Sequence, residues 1–333
     1  MISINNREIG SKSTPFIIAE IGVNHNGSFD LACRMVDEAV LAGADAVKFQ
    51  TFRVESNTNK TESQFEMLKR FKLSEDEFVK LKNYCESKNI IFISSPFDIQ
   101  SIDFLDSIGV LVFKVPSCEI TNTLYLEHMA SKGRPIFLST GVSTLSEVKL
   151  AQSVIESKLD NQLIILHCVS SYPTPFSQAN LLAINTLKKE CCVPVGYSDH
   201  TLGIDVAIGS VALGACVIEK HFTLDRTMEG PDHKASIEPS DFAKLVKGVK
   251  DVFDSLGNGI KEPQNCEKNT GLVARKSIFL NKSLSSGEVI TLENICFLRP
   301  GTGIQASEYK KIIGKKVNRT VKAKEMLSLD MLG

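Results

Sequence analysis

A chain of 333 residues with 43% hydrophobic and 23% charged residues has the composition of a folded globular protein, long enough for one large α/β domain and a small second one. A net charge of −1 gives no overall field that would attract nucleic acid or an anionic membrane. The first residues lack the basic-then-apolar layout of a signal peptide, and no apolar run approaches the ~18 residues of a membrane span. We therefore expect a cytoplasmic protein whose nine cysteines are free thiols.

Apolar runs typical of strands alternate with helical patterns along most of the chain. The predicted strands are residues 16–22, 46–51, 90–97, 110–117, 135–141, 163–170, 195–197 and 217–220. Continuously apolar strands separated by amphipathic helices indicate a parallel sheet covered on both faces. Eight such units within roughly 250 residues predict a (β/α)₈ TIM barrel. An open doubly wound sheet is the alternative, but no glycine-rich phosphate loop follows the first strand.

Two segments depart from this alternation. An insertion follows the second strand, and its SQFEMLKRF portion predicts a helix over the barrel mouth. Near residue 257 the composition becomes polar, and short β segments separated by turns follow. These changes predict a catalytic barrel over 1–256, a linker over 257–270 and a small β-rich domain over 271–333. A domain this small is expected to lean on a barrel, its own or a partner's.

Two histidines follow neighbouring strands of the predicted barrel. The strands at 195–197 and 217–220 run into His200 and His221, and the residues between them predict one crossover helix. Such a unit makes the strands parallel neighbours whose carboxyl ends meet at one edge. Each histidine alone could simply close its strand, but a matched pair favours a shared divalent metal.

Lysines end two predicted strands, where a buried ammonium needs an anionic partner. Lys48 and Lys114, with nearby serine hydroxyls, predict a site for a small phosphate or carboxylate. Ion pairing to Glu20 and Glu119 is the alternative, and Schiff-base chemistry is another use of a strand-end lysine. Because histidines lie nearby, we favour a metal that polarises an aldehyde while Glu20 handles a proton.

Other polar residues near the strand ends carry weaker signals. A serine after a strand often only caps the next helix. Asp232 in GPDH could bind a polyol or form part of a turn, and Arg299 on the LRPGTG turn has the pattern of a solvated surface residue. His25, His167 and His128 have patterns typical of structural histidines.

Several ordered motifs resemble the sialic acid synthase family, which makes nine-carbon nonulosonic acids. The matching segments are AEIGVNHNG (19–27), VKFQTF (47–52), ISSPFD (93–98), FKVPSCEI (113–120), LSTG (138–141), LHCVSSYPTP (166–175), GYSDHTLG (196–203), EKHFTLDRTMEGPDH (219–233) and FLRPGTG (297–303). The resemblance covers essentially the whole chain, and the small domain resembles the family's antifreeze-like (SAF) module.

This resemblance implies that the protein condenses phosphoenolpyruvate with an N-acetylmannosamine-type sugar and releases phosphate, using a divalent metal, Mn²⁺ or Mg²⁺. It implies that His200 and His221 hold the metal and that Glu20 activates the attacking water. The implied phosphoenolpyruvate-binding residues are Lys48, Ser95, Lys114, Ser117, Ser139, Ser170 and Ser198. The implied sugar-binding residues are Gln50, Glu119, Tyr172, Asp232 and, reaching in from the partner of a swapped homodimer, Arg299.

The motifs also reduce the number of candidate acceptor sugars. NHNG and GPDHKASIEP resemble the neuraminate and legionaminate branch rather than pseudaminic acid synthases. These motifs do not distinguish N-acetylmannosamine from 2,4-diacetamido-2,4,6-trideoxymannose, and we take N-acetylmannosamine as the first expectation and the diacetamido sugar as the alternative. Two other functions are a synthase of the Kdo-8-phosphate type and a non-catalytic sugar-binding barrel. The C-terminal domain argues against the first, and the intact Glu20, Lys48, His200 and His221 argue against the second.

Overall fold

A computed structural model divides the chain into two units, residues 1–257 and residues 258–333. It describes residues 2–10, 12–57, 61–62 and 64–333, without the side chains of residues 57 and 64. Within these residues no helix is both long and apolar enough to cross a membrane. All nine cysteines lie in the described part, and none forms a disulfide.

The first unit contains a short antiparallel hairpin and eight parallel strands. The hairpin consists of β1 (Ile2–Ile4) and β2 (Arg7–Ile9). The parallel strands are β3 (Phe16–Gly22), β4 (Ala46–Thr51), β5 (Ile91–Pro96), β6 (Phe113–Val115), β7 (Ile136–Ser139), β8 (Leu163–Cys168), β9 (Val195–Asp199) and β10 (Val217–His221). Their order is β5-β4-β3-β10-β9-β8-β7-β6, and β5 and β6 lie against each other at the closure. The predicted (β/α)₈ barrel is confirmed.

Helices connect the strands and cover the barrel. They are α1 (Phe29–Leu41), α2 (Val54–Asn57), α3 (Gln64–Phe71), α4 (Glu75–Ser87), α5 (Ile99–Ser107), α6 (Thr123–Ala130), α7 (Leu145–Glu156), α8 (Ala183–Cys191), α9 (Asp205–Ala212) and α10 (Pro239–Ser255). Local sequence sets several starts: reciprocal capping boxes of Ser74 with Glu77 and of Thr144 with Glu147 begin α4 and α7. Apart from α2 and α3, whose buried residues form a separate small cluster, these helices pack their buried faces on the outward side chains of the strands in one large core.

The amino-terminal end of the barrel is sealed by apolar side chains. Ile2, Ile4 and Ile9 of the hairpin pack beneath the first residues of the strands, including Phe16 and Val217. This closure was not apparent in the sequence, because three-residue strands give too short a pattern. It leaves the carboxyl end of the barrel as the end that can hold a ligand.

The second unit is small and β-rich. Its helices are α11 (Lys268–Ala274) and α12 (Tyr309–Ile312), and its strands β11 (Ser277–Leu280) and β12 (Ile295–Leu298) pair antiparallel. Isolated bridges such as Leu284 with Val321 and Val317 with Leu332 complete it around its own apolar core. Helix α11 begins inside the stretch that the sequence predicted to be linker.

Candidate active site

A cavity of about 380 Å³ opens at the carboxyl ends of the barrel strands. Apart from Glu119 and Arg299, every side chain predicted for the site lines it: Glu20, Lys48, Gln50, Ser95, Lys114, Ser117, Ser139, Ser170, Tyr172, Ser198, His200, His221 and Asp232. Strand geometry brings eight of them together, because alternate residues of each strand point into the barrel, and the other five lie in segments that follow the strands at the same edge.

Two buried lysines form the cationic part of this cavity. Lys48 Nζ lies 3.2 Å from Ser95 Oγ, and Lys114 Nζ donates to Ser139 Oγ at 2.6 Å. Ser117 Oγ accepts from the Gly141 amide at 3.0 Å. Ammonium groups flanked by hydroxyls suit a small anion carrying phosphate and carboxylate groups.

Both lysines also lie close to a buried carboxylate that the sequence analysis did not single out. Glu219 Oε1 is 3.7 Å from each ammonium nitrogen, of Lys48 and of Lys114, and accepts from Ser198 Oγ at 2.8 Å. Burial opposes its charge, but the two lysines outweigh burial and lower the pKa of Glu219 to about 2. The strand period was the available signal, because Glu219 lies two residues before His221 and therefore on the same face of β10.

The predicted ion pairs of the lysines are correct for one lysine only. Lys48 Nζ is 2.8 Å from Glu20 Oε2, as the alternative interpretation proposed. Lys114 pairs with Glu219 rather than with Glu119. Glu119 does not line the cavity, and its carboxylate accepts from Asn122 Nδ2 at 2.9 Å.

Glu20 differs from Glu219 in its protonation. Burial raises the pKa of Glu20 to about 7, although Lys48 favours its ionised form. Its Oε1 lies 3.4 Å from Gln50 Nε2, and its Oε2 accepts no well-directed hydrogen bond. A carboxyl that titrates near neutral pH inside a cleft is suited to taking up and releasing a proton.

The two histidines lie side by side, with ring centroids 5.5 Å apart. His200 Nδ1 is 2.7 Å from the Val169 carbonyl oxygen, so Nδ1 carries the proton and Nε2 keeps its lone pair. His221 Nδ1 is buried without a hydrogen-bond partner. Burial lowers the pKa of both imidazoles, which favours their neutral, metal-binding form.

These histidines fit a divalent metal as two of its ligands. Buried ring nitrogens that keep a lone pair, one of them oriented by a backbone carbonyl on the opposite nitrogen, are the arrangement of metal-binding histidines. Within the described residues no three His, Cys, Asp or Glu side chains come together as a complete metal site. Water and substrate would have to supply the remaining ligands.

Polar groups suited to a sugar lie beside the histidines. A Cβ added to Gly22 would lie 3.1 Å from Glu20 Oε1, 3.3 Å from Gln50 Nε2 and 3.6 Å from Asp232 Oδ2, so these three groups converge. Burial raises the pKa of Asp232 to about 6. The Tyr172 ring covers His200 at a centroid distance of 4.2 Å.

Three other histidines, which the sequence predicted to be structural, lie outside this cavity. His25 Nδ1 accepts from the Gly27 amide at 3.1 Å, His167 Nε2 is 2.9 Å from the Ala179 carbonyl, and His128 Nε2 is 2.8 Å from Asp103. Each has a local partner, as expected of a structural histidine. Arg299 lies in an exposed turn of the second unit, and its role toward a sugar stays a prediction.

Known proteins resemble this chain over nearly its full length. The NeuB family matches residues 35–261, and the SAF domain matches residues 275–333. The chain belongs to the NeuB family.

Relatives of this NeuB protein carry names of nonulosonic acid synthases. N,N'-diacetyllegionaminic acid synthase of Legionella pneumophila is 45% identical over 94% of this chain and 93% of the relative. The synthase of that name from Campylobacter jejuni is 40% identical over 93% of this chain and 98% of the relative. The protein is therefore an enzyme of the nonulosonic acid synthase family, and the resemblance drawn from its motifs is confirmed.

A solved structure supports the same assignment. The N-acetylneuraminic acid (sialic acid) synthetase of Leptospira borgpetersenii, in complex with citrate, is 42% identical and covers 81% of this chain and 94% of that one, with a TM-score of 0.78. A solved relative thus shares the fold of this NeuB protein over 81% of the chain.

Proposed function

We propose that this enzyme condenses phosphoenolpyruvate with 2,4-diacetamido-2,4,6-trideoxymannose and water to give N,N'-diacetyllegionaminic acid and phosphate. The observation that carries the condensation is one cavity that holds two buried lysines, a carboxyl with a pKa near 7 and a pair of neutral histidines. The choice of sugar rests on two legionaminic acid synthases that are 45% and 40% identical to this chain.

The second candidate acceptor is N-acetylmannosamine, which would give N-acetylneuraminate. The likeness to the Leptospira N-acetylneuraminic acid synthetase, at 42% identity, favours this product. Both reactions need the same lysines, carboxyl and histidines, so the two candidates differ only in the sugar.

Lys48 and Lys114 would neutralise the phosphate and carboxylate of phosphoenolpyruvate, with hydroxyls donating from Ser95, Ser117, Ser139, Ser170 and Ser198. Gln50, Tyr172 and Asp232 would orient the open-chain sugar so that its aldehyde carbon faces C3 of phosphoenolpyruvate.

Bond formation between C3 and the aldehyde carbon would leave cationic character at C2. Glu20 would take one proton from the water that adds there and return it to the alkoxide formed at the aldehyde oxygen. Loss of the remaining hydroxyl proton would then form the C2 carbonyl as the C2–O bond to phosphate breaks, so that the bridging oxygen leaves with the phosphate, which takes up that proton. The pKa of about 7 leaves a large share of Glu20 ionised at neutral pH and able to accept the proton from water.

His200 and His221 would hold a divalent metal, Mn²⁺ or Mg²⁺. When bound, the metal would act as a Lewis acid toward the aldehyde oxygen. The rings themselves would remain neutral, because burial disfavours the imidazolium form of each.

The test is phosphate release from phosphoenolpyruvate with Mn²⁺, comparing the two sugars at equal concentrations. We expect the diacetamido sugar to have the higher kcat/KM, and an isotopic label in the bridging oxygen to appear in phosphate. Removing metal with a chelator should abolish turnover, and adding Mn²⁺ should restore it. Faster turnover of N-acetylmannosamine would reverse the order of the candidates, and no release with either sugar would refute the proposed condensation.

A further inference from the structure

Two loops at the carboxyl end of the barrel are joined by hydrogen bonds beside the cavity. One loop, residues 23–28, follows β3, and the other, residues 222–238, follows β10. The second loop carries Asp232, which lines the cavity. Asn26 of the first loop and His233 of the second do not line it, so they can affect a bound ligand only through other residues.

Asn26 holds the second loop at two points, one on each side of Asp232. Its Nδ2 donates to the Glu229 carbonyl oxygen at 2.9 Å, and its Oδ1 lies 3.3 Å from Nε2 of His233. A carbonyl oxygen only accepts, so Nδ2 faces Glu229 and Oδ1 faces a protonated Nε2. Asn26 has φ +51°, a left-handed conformation that asparagine adopts more readily than most residues.

The His233 ring is completely buried and connects Asn26 to the start of the second loop. Burial lowers the pKa of His233, so the ring is neutral and carries its single proton on Nε2. Nδ1 therefore accepts from the Thr223 hydroxyl at 2.7 Å. Gly230 packs so closely here that an added Cβ would lie 2.6 Å from His233 Cδ2 and 3.1 Å from Asn26 Oδ1. These contacts fix the backbone before and after Asp232.

The Asp232 carboxylate depends on this backbone for its position. Within the residues that the structure describes, neither of its oxygens accepts a hydrogen bond, and its ion-pair contact is with His221 Nδ1 at 3.9 Å. Its main-chain carbonyl, in contrast, accepts from the Ser236 hydroxyl at 2.7 Å. The carboxylate thus converges with Glu20 and Gln50 because the loop that carries it is held in place.

We infer that Asn26 and His233 are positioning residues that set the Asp232 carboxylate for the acceptor sugar. This inference rests on the proposed function, in which Asp232 orients the open-chain sugar. A displacement of about 1 Å would misalign the hydrogen bonds that place the aldehyde carbon for attack. Phosphoenolpyruvate is held by Lys48 of β4 and Lys114 of β6, so its binding does not depend on these two loops.

The first test is Asn26→Gly, with steady-state phosphate release measured for the acceptor that has the higher kcat/KM. Glycine adopts positive φ without strain, so the variant loses both hydrogen bonds and keeps the backbone conformation. KM for the sugar should rise roughly 10-fold, and KM for phosphoenolpyruvate should stay within about 2-fold. Loss of folded enzyme alone would lower the apparent kcat and leave both KM values unchanged.

Asn161→Gly is the matched control. Asn161 has φ +53° and is exposed in the turn before β8, at the amino end of the barrel. The same substitution at the same backbone conformation should leave both KM values unchanged there.

A second test shows whether the effect passes through the carboxylate. Asp232→Ala should itself raise KM for the sugar at least as much as Asn26→Gly does. In the Asp232→Ala background, Asn26→Gly should raise it by less than about 2-fold, because the loop then has no carboxylate to position.

Two histidine variants test the hydrogen bond itself, including the case in which Asn26→Gly does not fold. The amide of His233→Gln can still donate to Asn26 Oδ1, whereas the shorter side chain of His233→Asn cannot reach it. KM for the sugar should be near the wild-type value in the first variant and roughly 10-fold higher in the second.

The outcomes separate this inference from the function on which it rests. Three results would each overturn the positioning role and leave the condensation in place: an unchanged KM for the sugar in Asn26→Gly, an undiminished effect of Asn26→Gly in the Asp232→Ala background, or equal KM values in the two histidine variants. Absence of phosphate release by the wild-type enzyme with both sugars would overturn the proposed function and this inference with it.

Discussion

Two groups of buried charges lie on opposite faces of the barrel sheet, and β10 contributes to both. On the outer face, Lys220 donates to Asp199 Oδ2 at 2.6 Å and also to the Thr201 carbonyl, and neither side chain of the pair is exposed. Asp199 accepts in addition from the Thr201 amide and from the Tyr197 hydroxyl. This pair is fully hydrogen-bonded, and it joins β9 to β10 at facing residues, one position before each histidine.

The inner group, formed by Glu20, Lys48, Lys114 and Glu219, is as deeply buried but less completely paired. Oε2 of Glu219 is buried without a hydrogen-bond partner, and Oε2 of Glu20 has only its ion pair with Lys48. A buried polar atom without a partner destabilises a fold unless a ligand provides one. The contrast teaches that the paired charges of this barrel fix the geometry of the strands, whereas the incompletely paired ones are available to substrate.

The largest expected effect is the loss of turnover in Glu20→Gln. The amide keeps the size of the side chain but cannot take a proton from water, so kcat should fall by roughly 10²- to 10⁴-fold. Steady-state phosphate release measures this change, and calorimetric binding of phosphoenolpyruvate serves as the control because the lysines remain. A near-normal kcat would remove Glu20 from the proton-transfer role.

The next effect concerns the outer pair. Lys220→Met leaves Asp199 buried without its cation and should lower the free energy of unfolding by roughly 3–5 kcal/mol. Thermal unfolding should show a midpoint lower by roughly 10 °C. Lys244→Met, which removes an exposed partner of Asp241, is the matched control and should change stability by less than about 0.5 kcal/mol.

The double variant Asp199→Asn/Lys220→Met removes the unpaired charge as well. Its free energy of unfolding should therefore lie between those of Lys220→Met and the wild type, which would support this account. If Lys220→Met were as stable as the control variant, the outer pair would have no structural role and the contrast between the two groups would fail.

The smallest effects are opposite changes in stability at the two inner carboxyls. The pKa of Glu20 is raised from 4.5 to about 7, so the folded protein loses stability as pH rises from 4.5 through 7, and Glu20→Gln removes that loss. The pKa of Glu219 is lowered from 4.5 to about 2, so its charge stabilises the fold above pH 4.5, and that contribution is lost as pH falls toward 2.

At pH 8 without metal, Glu20→Gln should therefore be more stable than the wild type and Glu219→Gln less stable, each by on the order of 2 kcal/mol. Urea denaturation at pH 8 and pH 5 measures both differences, and the Glu20→Gln gain should shrink at the lower pH. If both variants were more stable than the wild type at pH 8, or both less stable, the different pairing of the two carboxyls would have no effect on stability.

The alternating pattern alone predicted the barrel, since strands and helices of this fold are local and periodic. The strand at 16–22 was predicted with its observed bounds, while that at 110–117 shortened to Phe113–Val115 because only those residues find a partner strand. The predicted helix over the mouth is α3 for the residues from Gln64 onward, whereas Ser63 lies outside the described residues.

The sequence by itself determined the fold and the set of polar side chains that line one cavity at the strand ends. The reason is that chain direction and the period of a strand are local properties. Only the tertiary structure decided how these groups pair. Glu219 rather than Glu119 faces Lys114, and Met67 and Leu68 of the inserted helix line the same cavity. These pairings depend on distances between segments that are far apart in the chain, so no local sequence pattern predicts them.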